Sequence, residues 1–160
     1  MNFKKVFWTL VAIMAAVIPS EAKTKVILFI PKVGNTDFTL FIDGEKTAKL
    51  NTPIVKTTDY STFKIPLKQS QPGWVEIDFA NEGKVLLSVS MEYTNFMTLD
   101  KNTMQAETQI DLQDDDTIYL ELGRKGLNDC KLKILDEKKG VKKLADKKLF
   151  ELPKLEINNE

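Results

Sequence analysis

The chain has 160 residues, with 23 basic and 23 acidic side chains, one cysteine and no histidine. This length fits one domain, and the absence of histidine excludes serine triads, Cys–His dyads and His-ligated zinc, so any catalysis would depend on carboxylates, lysine or tyrosine. The basic side chains are 22 lysines and a single arginine, Arg124, and the net charge is zero. These features argue against nucleic-acid binding and favour a protein that is not an enzyme and holds no cofactor.

The first 22 residues have the order of a secretory signal peptide. Two lysines precede 13 uncharged residues, Val6 to Ile18, and the small residues Ser20 and Ala22 stand before the predicted cleavage site. The alternative is a membrane anchor, but a membrane span needs ~20 apolar residues, and this run of 13 is short. No transmembrane segment is expected after cleavage. Removal of residues 1–22 takes away two lysines and one glutamate and leaves a net charge of −1. We predict an exported protein, located in the periplasm or at the cell exterior.

The first part of the mature chain predicts three consecutive β-strands. The apolar residues 26–30 run without interruption and predict a strand that is buried on both faces. A second apolar run, residues 38–42, is followed by Asp43-Gly44, a pair suited to a two-residue hairpin turn because both positions must tolerate a positive φ. Residues 45–50 are the predicted return strand.

The next segment predicts an exposed sheet edge. We expect a loop over residues 52–59 and then a weak edge strand over residues 60–67, in which Pro66 lacks the backbone donor that a central strand uses. An edge of this kind accepts a partner strand in some assemblies. An adhesin-like or pilus-like subunit is therefore one alternative function.

Two further strands follow a Pro-Gly turn. Residues 74–80 alternate apolar side chains with Glu76 and Asp78, which predicts a strand with one solvent-facing surface. Residues 81–83 predict a second hairpin turn, which leads into a strand over residues 84–92. Paired carboxylates such as Glu76 and Asp78 are the chemistry of a small hydrolase, another alternative, but carboxylates on a solvated strand face do not readily acquire a raised pKa.

The second half of the chain predicts a loop over residues 93–103 and then three strands. Residues 104–112 and 117–122 are joined by an acidic turn, and residues 130–134 alternate apolar side chains with lysines. The alternation places Cys130 on the buried face, which favours a small core residue over a reactive thiol. One cysteine also forms no internal disulfide.

The acidic turn is the candidate metal site of the sequence. Calcium needs several oxygen ligands that converge from a short loop. The spacing is not that of an EF-hand, so a solvated turn is the favoured interpretation. Glu121 with Asp116 is a second candidate pair for a hydrolase. The candidate metal ligands are Asp111, Asp114, Asp115 and Asp116.

A helix follows Asp136, which is its predicted N-cap. Val141, Leu144 and Leu149 follow helical spacing, while Gly140 could move the start to a later residue. The remaining positions are rich in lysine and offer a candidate peripheral contact with anionic lipid headgroups. The lysines concerned are Lys138, Lys139, Lys142, Lys143, Lys147 and Lys148.

About eight short strands and one helix predict a mainly β protein, an antiparallel immunoglobulin-like β-sandwich with a C-terminal helix. The predicted divisions are a signal peptide over 1–22, the sandwich domain with its helix over 23–150, and a segment over 151–160 that is either a loose tail or a final edge strand. Trp74 and Tyr60 are the candidate ligand contacts, because exposed aromatic rings stack on ligands. Among the aromatic residues, Trp74 is the best candidate for an exposed ring.

Three stretches resemble PEGA-like domains and a related family of exported bacterial proteins. The stretches are residues 41–50 with their Ile-Asp-Gly hairpin, residues 63–77 with Phe-x-x-Pro and Pro-Gly, and residues 117–122. Trp74 stands where the family often has histidine after Pro-Gly. The resemblance covers about residues 25–145 and implies an immunoglobulin-like sandwich in the cell envelope, with no catalytic residues.

The expected function is a non-enzymatic binding or structural module of the bacterial envelope. The absence of Asn-x-Ser/Thr acceptors fits a bacterial protein. Its expected partner is an envelope protein or a surface ligand, and not nucleic acid. The alternatives are the small hydrolase and the adhesin-like or pilus-like subunit.

Overall fold

The structure, a computed structural model, describes residues 23–60, 65–95, 98, 100–124 and 129–159. The predicted signal peptide lies outside these residues. The mainly β prediction is confirmed, because strands dominate these described residues, with one short helix among them. The elements are β1 (Thr24–Ile30), β2 (Thr36–Ile42), β3 (Glu45–Lys49), β4 (Ile54–Tyr60), β5 (Ile65–Ser70), β6 (Gly73–Phe79), β7 (Gly83–Thr94), β8 (Lys101–Leu112), β9 (Thr117–Arg124), β10 (Cys130–Leu135), α1 (Glu137–Leu144), β11 (Phe150–Glu151) and β12 (Leu155–Ile157).

The described strands form three sheets. The larger sheet has the order β10-β9-β1-β6, and both β11 and β12 pair with the far edge of β6. The smaller sheet, β3-β2-β7-β8, is antiparallel throughout, and β4 pairs with β5 in a separate hairpin. The larger sheet also contains parallel pairs, β1 with β9 and β6 with β11 and β12, so the wholly antiparallel prediction is wrong there. Parallel pairing is possible because these strands arrive by crossover connections instead of tight hairpins.

Two predicted hairpin turns have different outcomes. Asp43 and Gly44 have φ angles of 49° and 85°, so the predicted turn between β2 and β3 is confirmed. The predicted hairpin at residues 81–83 is wrong, because β6 belongs to the larger sheet and β7 to the smaller one. Both edges of β6 are already occupied, by β1 on one side and by β11 and β12 on the other.

Two predicted loops contain strand structure. Most of residues 52–59 belongs to β4, and the predicted edge strand over 60–67 is instead the end of β4 and the start of β5, with residues 61–64 outside the described part. The loop over 93–103 is shorter than predicted, because β7 continues to Thr94, which pairs with Lys101 of β8. Exposed, polar strand residues carry no alternation of apolar side chains and gave no strand signal.

The larger and the smaller sheet contribute to one hydrophobic core. Burial of each large apolar side chain contributes about 1.5–3 kcal/mol to stability. Cys130 lies in this core, as predicted, and burial raises the pKa of its thiol. The core includes Val26, Leu28, Val75, Ile77, Phe79, Leu120 and Leu122 from the larger sheet and Phe38, Leu40, Leu87, Val89, Met91 and Ala106 from the smaller sheet.

The opposite face of the larger sheet carries a second apolar cluster beside α1. Ile27 and Phe29 of β1 are buried there with Tyr119 and Leu135, so the prediction that β1 is buried on both faces is confirmed. The cluster also contacts Leu144, the last residue of α1. The helix therefore covers part of the sheet face that points away from the main core.

Helix α1 begins at Glu137, one residue after its predicted N-cap. The Asp136 carboxylate accepts a hydrogen bond of 2.9 Å from the backbone N–H of Lys139, which satisfies one free donor of the first turn. Gly140 does not delay the start; it lies within the helix, where a Cβ atom would be 2.1 Å from Cγ of Tyr119. The helix ends at Leu144, so Leu149 packs on the second cluster from beyond it, and Val141 is exposed.

The C-terminal segment takes the second of its two predicted forms, a final edge strand. Leu155 to Ile157 pair in parallel with Ile77 to Phe79 of β6. Asn159 fastens the end of the segment, because its Nδ2 donates to the carbonyl of Asn81 at 2.9 Å and its Oδ1 accepts from the Asn81 N–H at 3.1 Å. Residues 150–159 are therefore integrated into the larger sheet.

Candidate functional site

The acidic turn between β8 and β9 lies on the surface. Asp114, Asp115 and Asp116 are exposed, and Asp111 lies on β8 opposite Lys84 of β7. Within the described residues, acidic side chains do not form a group of three or more that could hold a metal ion. A hydrogen bond with Asp114, together with repulsion from it, raises the pKa of Glu82 in the neighbouring turn. The turn is therefore an exposed cluster of like charges.

The carboxylate pairs considered for a hydrolase are engaged or far apart. Asp78 is only 5 % exposed, so the prediction of a solvent-facing surface is wrong at this position. Lys154 Nζ lies 2.7 Å from Asp78 Oδ2 and 2.7 Å from Glu76 Oε1, whereas Asp78 Oδ1 is buried without a partner in the described structure. Glu121 pairs with Lys143, and five residues of β9, roughly 16 Å, separate it from Asp116. This separation exceeds that of known glycosidase pairs.

The ion pair between Lys154 and Asp78 predicts a stability difference that depends on pH. Hydrogen bonds with Asp78 and then Glu76 raise the pKa of Lys154 above its ordinary value of 10.5. The charged lysine therefore contributes stability below pH 10.5, and this contribution is lost as the pH rises through the folded-state pKa. Lys154→Met leaves a buried carboxylate without its cation. We expect a lower Tm than wild type at pH 8 and a smaller difference at pH 11.

Thermal unfolding followed by circular dichroism at the two pH values measures this effect. The matched control is Lys147→Met, which removes an exposed lysine without an ion pair in the described structure. A Tm difference for Lys154→Met that is constant between pH 8 and pH 11 would show that the ion pair does not stabilise the C-terminal segment.

The aromatic candidates are in different surroundings. Trp74 is half-buried on the outer face of the larger sheet, where it packs against the second apolar cluster, as Leu144 and Leu149 also do. Tyr60 ends β4 in the separate hairpin, and its side chain lies outside the described part. Ligand contact by Trp74 or Tyr60 stays a prediction.

The lysines of the C-terminal helix region are only partly free. Lys143 pairs with Glu121 and lies 5.2 Å from the centre of the Phe29 ring, and Lys139 pairs with its N-cap. Lys138 and Lys142 are exposed. Within the described residues, every helix is too short or too polar to cross a membrane. Contact of this surface with lipid headgroups stays a prediction.

A cleft of about 450 Å³ lies between the β4–β5 hairpin and the start of β2. It is open to solvent, and both apolar and polar side chains line it. The hairpin contributes Ile54, Pro66 and Lys68, and the facing wall contributes Thr36, Asp37 and Thr94.

Asn35 positions one wall of this cleft. Its φ of 43° is a left-handed conformation that asparagine tolerates. Its Nδ2 donates to the carbonyl of Pro66 at 3.0 Å, and its Oδ1 accepts from the N–H of Lys68 at 2.6 Å. The backbone N–H of Asn35 donates to the carbonyl of Lys68 at 2.9 Å, and the backbone N–H of Ser70 donates to the carbonyl of Val33 at 3.0 Å. One asparagine therefore closes the outer edge of β5, where Pro66 cannot donate.

The two walls together leave polar groups available to a ligand. Asn51 Oδ1 accepts from the N–H of Phe38 at 3.0 Å, and its Nδ2 donates to Asp37 Oδ1 at 3.2 Å. In the described structure Asp37 Oδ2, the Lys68 ammonium and the Thr94 hydroxyl make no hydrogen bond or ion pair. An anionic, a cationic and a hydroxyl group thus line one cleft. The sequence alone does not predict this site, because Asn35 and the hairpin residues that it contacts are more than 30 residues apart in the chain.

Replacement of Asn35 by alanine should loosen the hairpin. The variant loses both side-chain hydrogen bonds and places a less tolerant residue at a positive φ. We expect amide exchange at Lys68 to accelerate by roughly tenfold or more, measured by hydrogen exchange with NMR detection. Exchange in β1 and β6 serves as the internal control. Unchanged exchange at Lys68 would contradict the role assigned to Asn35.

Comparison with protein-family models, curated proteins and solved structures finds no match for this chain. The resemblance to PEGA-like domains is not tested by this result and stays a prediction.

Proposed function

We propose that this protein is an exported, non-enzymatic binding module of the bacterial envelope, with an immunoglobulin-like sandwich that carries its binding site beside the β4–β5 hairpin. The observation that supports the site is the cleft in which Asp37, Lys68 and Thr94 offer uncommitted polar groups. Ile54 at its rim is 55 % exposed and Val55 is 56 % exposed. Polar groups that fix orientation beside apolar surface are typical of ligand sites.

The sequence and the ion pairs favour binding over catalysis. The chain has no histidine, and Lys154 holds the Glu76 and Asp78 carboxylates. Asp37 lies in the cleft without a second carboxylate among the residues that line it. A small hydrolase is the alternative, and turnover of chromogenic glycosides or esters by the purified domain would favour it.

Export is tested by the N-terminus of the protein recovered from cells. We expect the chain in the envelope fraction or the medium to begin at Lys23, as read by intact-mass spectrometry. Substitution of Ala22 by arginine should block cleavage and leave the precursor. Recovery of the full-length chain only in the cytoplasm would contradict export.

Binding at the cleft is tested by filling it. Thr94→Trp places a large side chain in the cleft, and Leu86→Trp adds the same ring at an exposed position of β7 outside it. We expect the Thr94 variant to capture its partner from envelope extracts at least roughly tenfold less well than wild type, because one filled pocket removes the central contacts. Equal capture by the two variants would place the binding site elsewhere.

A further inference from the structure

Strand β4 has an outward-facing backbone edge. Lys68 and Thr57 lie opposite each other in the β4–β5 pair, and so do Pro66 and Asp59. The backbone groups of Lys68 and Pro66 bond to Asn35, on the side away from β4. Because outward-facing and paired residues alternate in an antiparallel ladder, Thr57 and Asp59 also direct their N–H and C=O groups away from β5. In the described part of the chain no strand pairs with this edge.

The two backbone edges of the hairpin differ in whether other residues cover them. The β5 edge is closed by residues 33–35, whereas the β4 edge carries exposed Val55 and Lys56 and has no cover among the described residues. A two-stranded hairpin is marginal in stability and gains from a third strand. Open edges are templates for strand addition.

We infer that an extended peptide segment of a partner protein pairs with β4 as a third strand and sends an acidic side chain into the cleft toward Lys68. This inference rests on the proposed function and names the partner of the same site. Lys56 and Lys68 form no ion pair in the described structure, so their charges are available to an acidic partner. The cleft begins at Ile54, the first residue of β4, so strand and cleft form one continuous surface.

A peptide fits this surface better than a second copy of the chain. Seven paired residues form a strip roughly 23 Å long and roughly 10 Å wide, which buries roughly 500 Å² over two partners. A stable dimer buries about 1,200 Å² or more. Self-pairing of two β4 strands would also leave both clefts unfilled, whereas a peptide can use the cleft as well.

The experiment selects peptides from a phage-displayed library of random dodecapeptides on the purified domain of residues 23–160. The best binder is then synthesised with single N-methyl groups along its length. Loss of affinity by about tenfold at every second position is expected, because only alternate N–H groups face β4. Amide exchange at Thr57 should slow when the peptide binds. A failure to enrich any peptide, or binding that is insensitive to N-methylation, would overturn the inference.

A charge-reversal pair tests the contact in the cleft. Lys68→Glu should lower the affinity for acidic peptides by about fivefold. Lys142→Glu, at an exposed position of α1, should leave this affinity unchanged. Equal affinities for the two variants would overturn the assignment of Lys68. If sedimentation shows concentration-dependent dimers and hydrogen exchange shows that these dimers protect the Thr57 amide, the strand that pairs with β4 is a second copy of the chain. That result would overturn the inference of a peptide. If the Thr94 variant still loses its partner while peptides fail, the proposed function stands and the inference fails.

Discussion

Replacement of Phe79 by alanine should lower the free energy of unfolding by about 4 kcal/mol. Phe79 is fully buried in the core that the larger and smaller sheets share. Its truncation removes apolar burial and leaves a cavity that close-packed neighbours fill only partly. Urea unfolding, followed by tryptophan fluorescence and circular dichroism, measures the change.

The control for this substitution is Ile134→Ala, in which the replaced side chain is 56 % exposed. Its effect should lie within about 0.5 kcal/mol of zero. Because both sheets contribute to the core, Phe79→Ala should accelerate amide exchange in β7 as well as in β1. Exchange that accelerates only in the larger sheet would show that the two sheets are separate units.

Replacement of Gly140 by alanine should destabilise the protein by about 2 kcal/mol, although alanine is the better helix former. In an exposed helix this change stabilises by about 1 kcal/mol. Here the new Cβ would lie 2.1 Å from Cγ of Tyr119 and 2.5 Å from two further ring carbons. The ring is buried, so the helix or the ring must move, and overpacking of this kind costs about 1–3 kcal/mol or more.

Gly123→Ala is the matched control, since no atom lies within 4 Å of a Cβ atom at that position. It should be neutral or stabilising by about 0.5 kcal/mol, because glycine is unfavourable within a strand. Chemical denaturation compares the two variants. If Gly140→Ala stabilised the protein as much as Gly123→Ala, the result would contradict the packing of α1 on Tyr119.

The features that the sequence predicted well depend on neighbours along the chain. The buried run of β1, the Asp43-Gly44 turn and the Asp136 cap each require only local side-chain chemistry. The pairing of strands is a long-range property, and so the turn at residues 81–83 was assigned to one sheet when it connects two. Asp78 was placed in solvent because the C-terminal segment that brings Lys154 against it lies 76 residues away in sequence.

The candidate site depends on contacts of the same long-range kind. Asn35 meets Pro66 and Lys68 more than 30 residues away. Strand β4 had no apolar alternation to mark it, because its exposed side chains include lysine and threonine. An exposed edge was anticipated in this region, but the sequence placed it over residues 60–67 and not on β4. The cleft lies between the β4–β5 hairpin and the start of β2, so it depends on a contact between segments that are distant in the sequence.

Site-specific photo-crosslinking tests the central claim, that the partner binds beside the β4–β5 hairpin. A benzophenone amino acid is placed at Val55, which is 56 % exposed, or at Leu86, which is 38 % exposed on another sheet, and cells producing each variant are irradiated. We expect a crosslinked adduct of higher mass from position 55 and none from position 86. An adduct from position 86 alone, or equal adducts from both positions, would contradict the account.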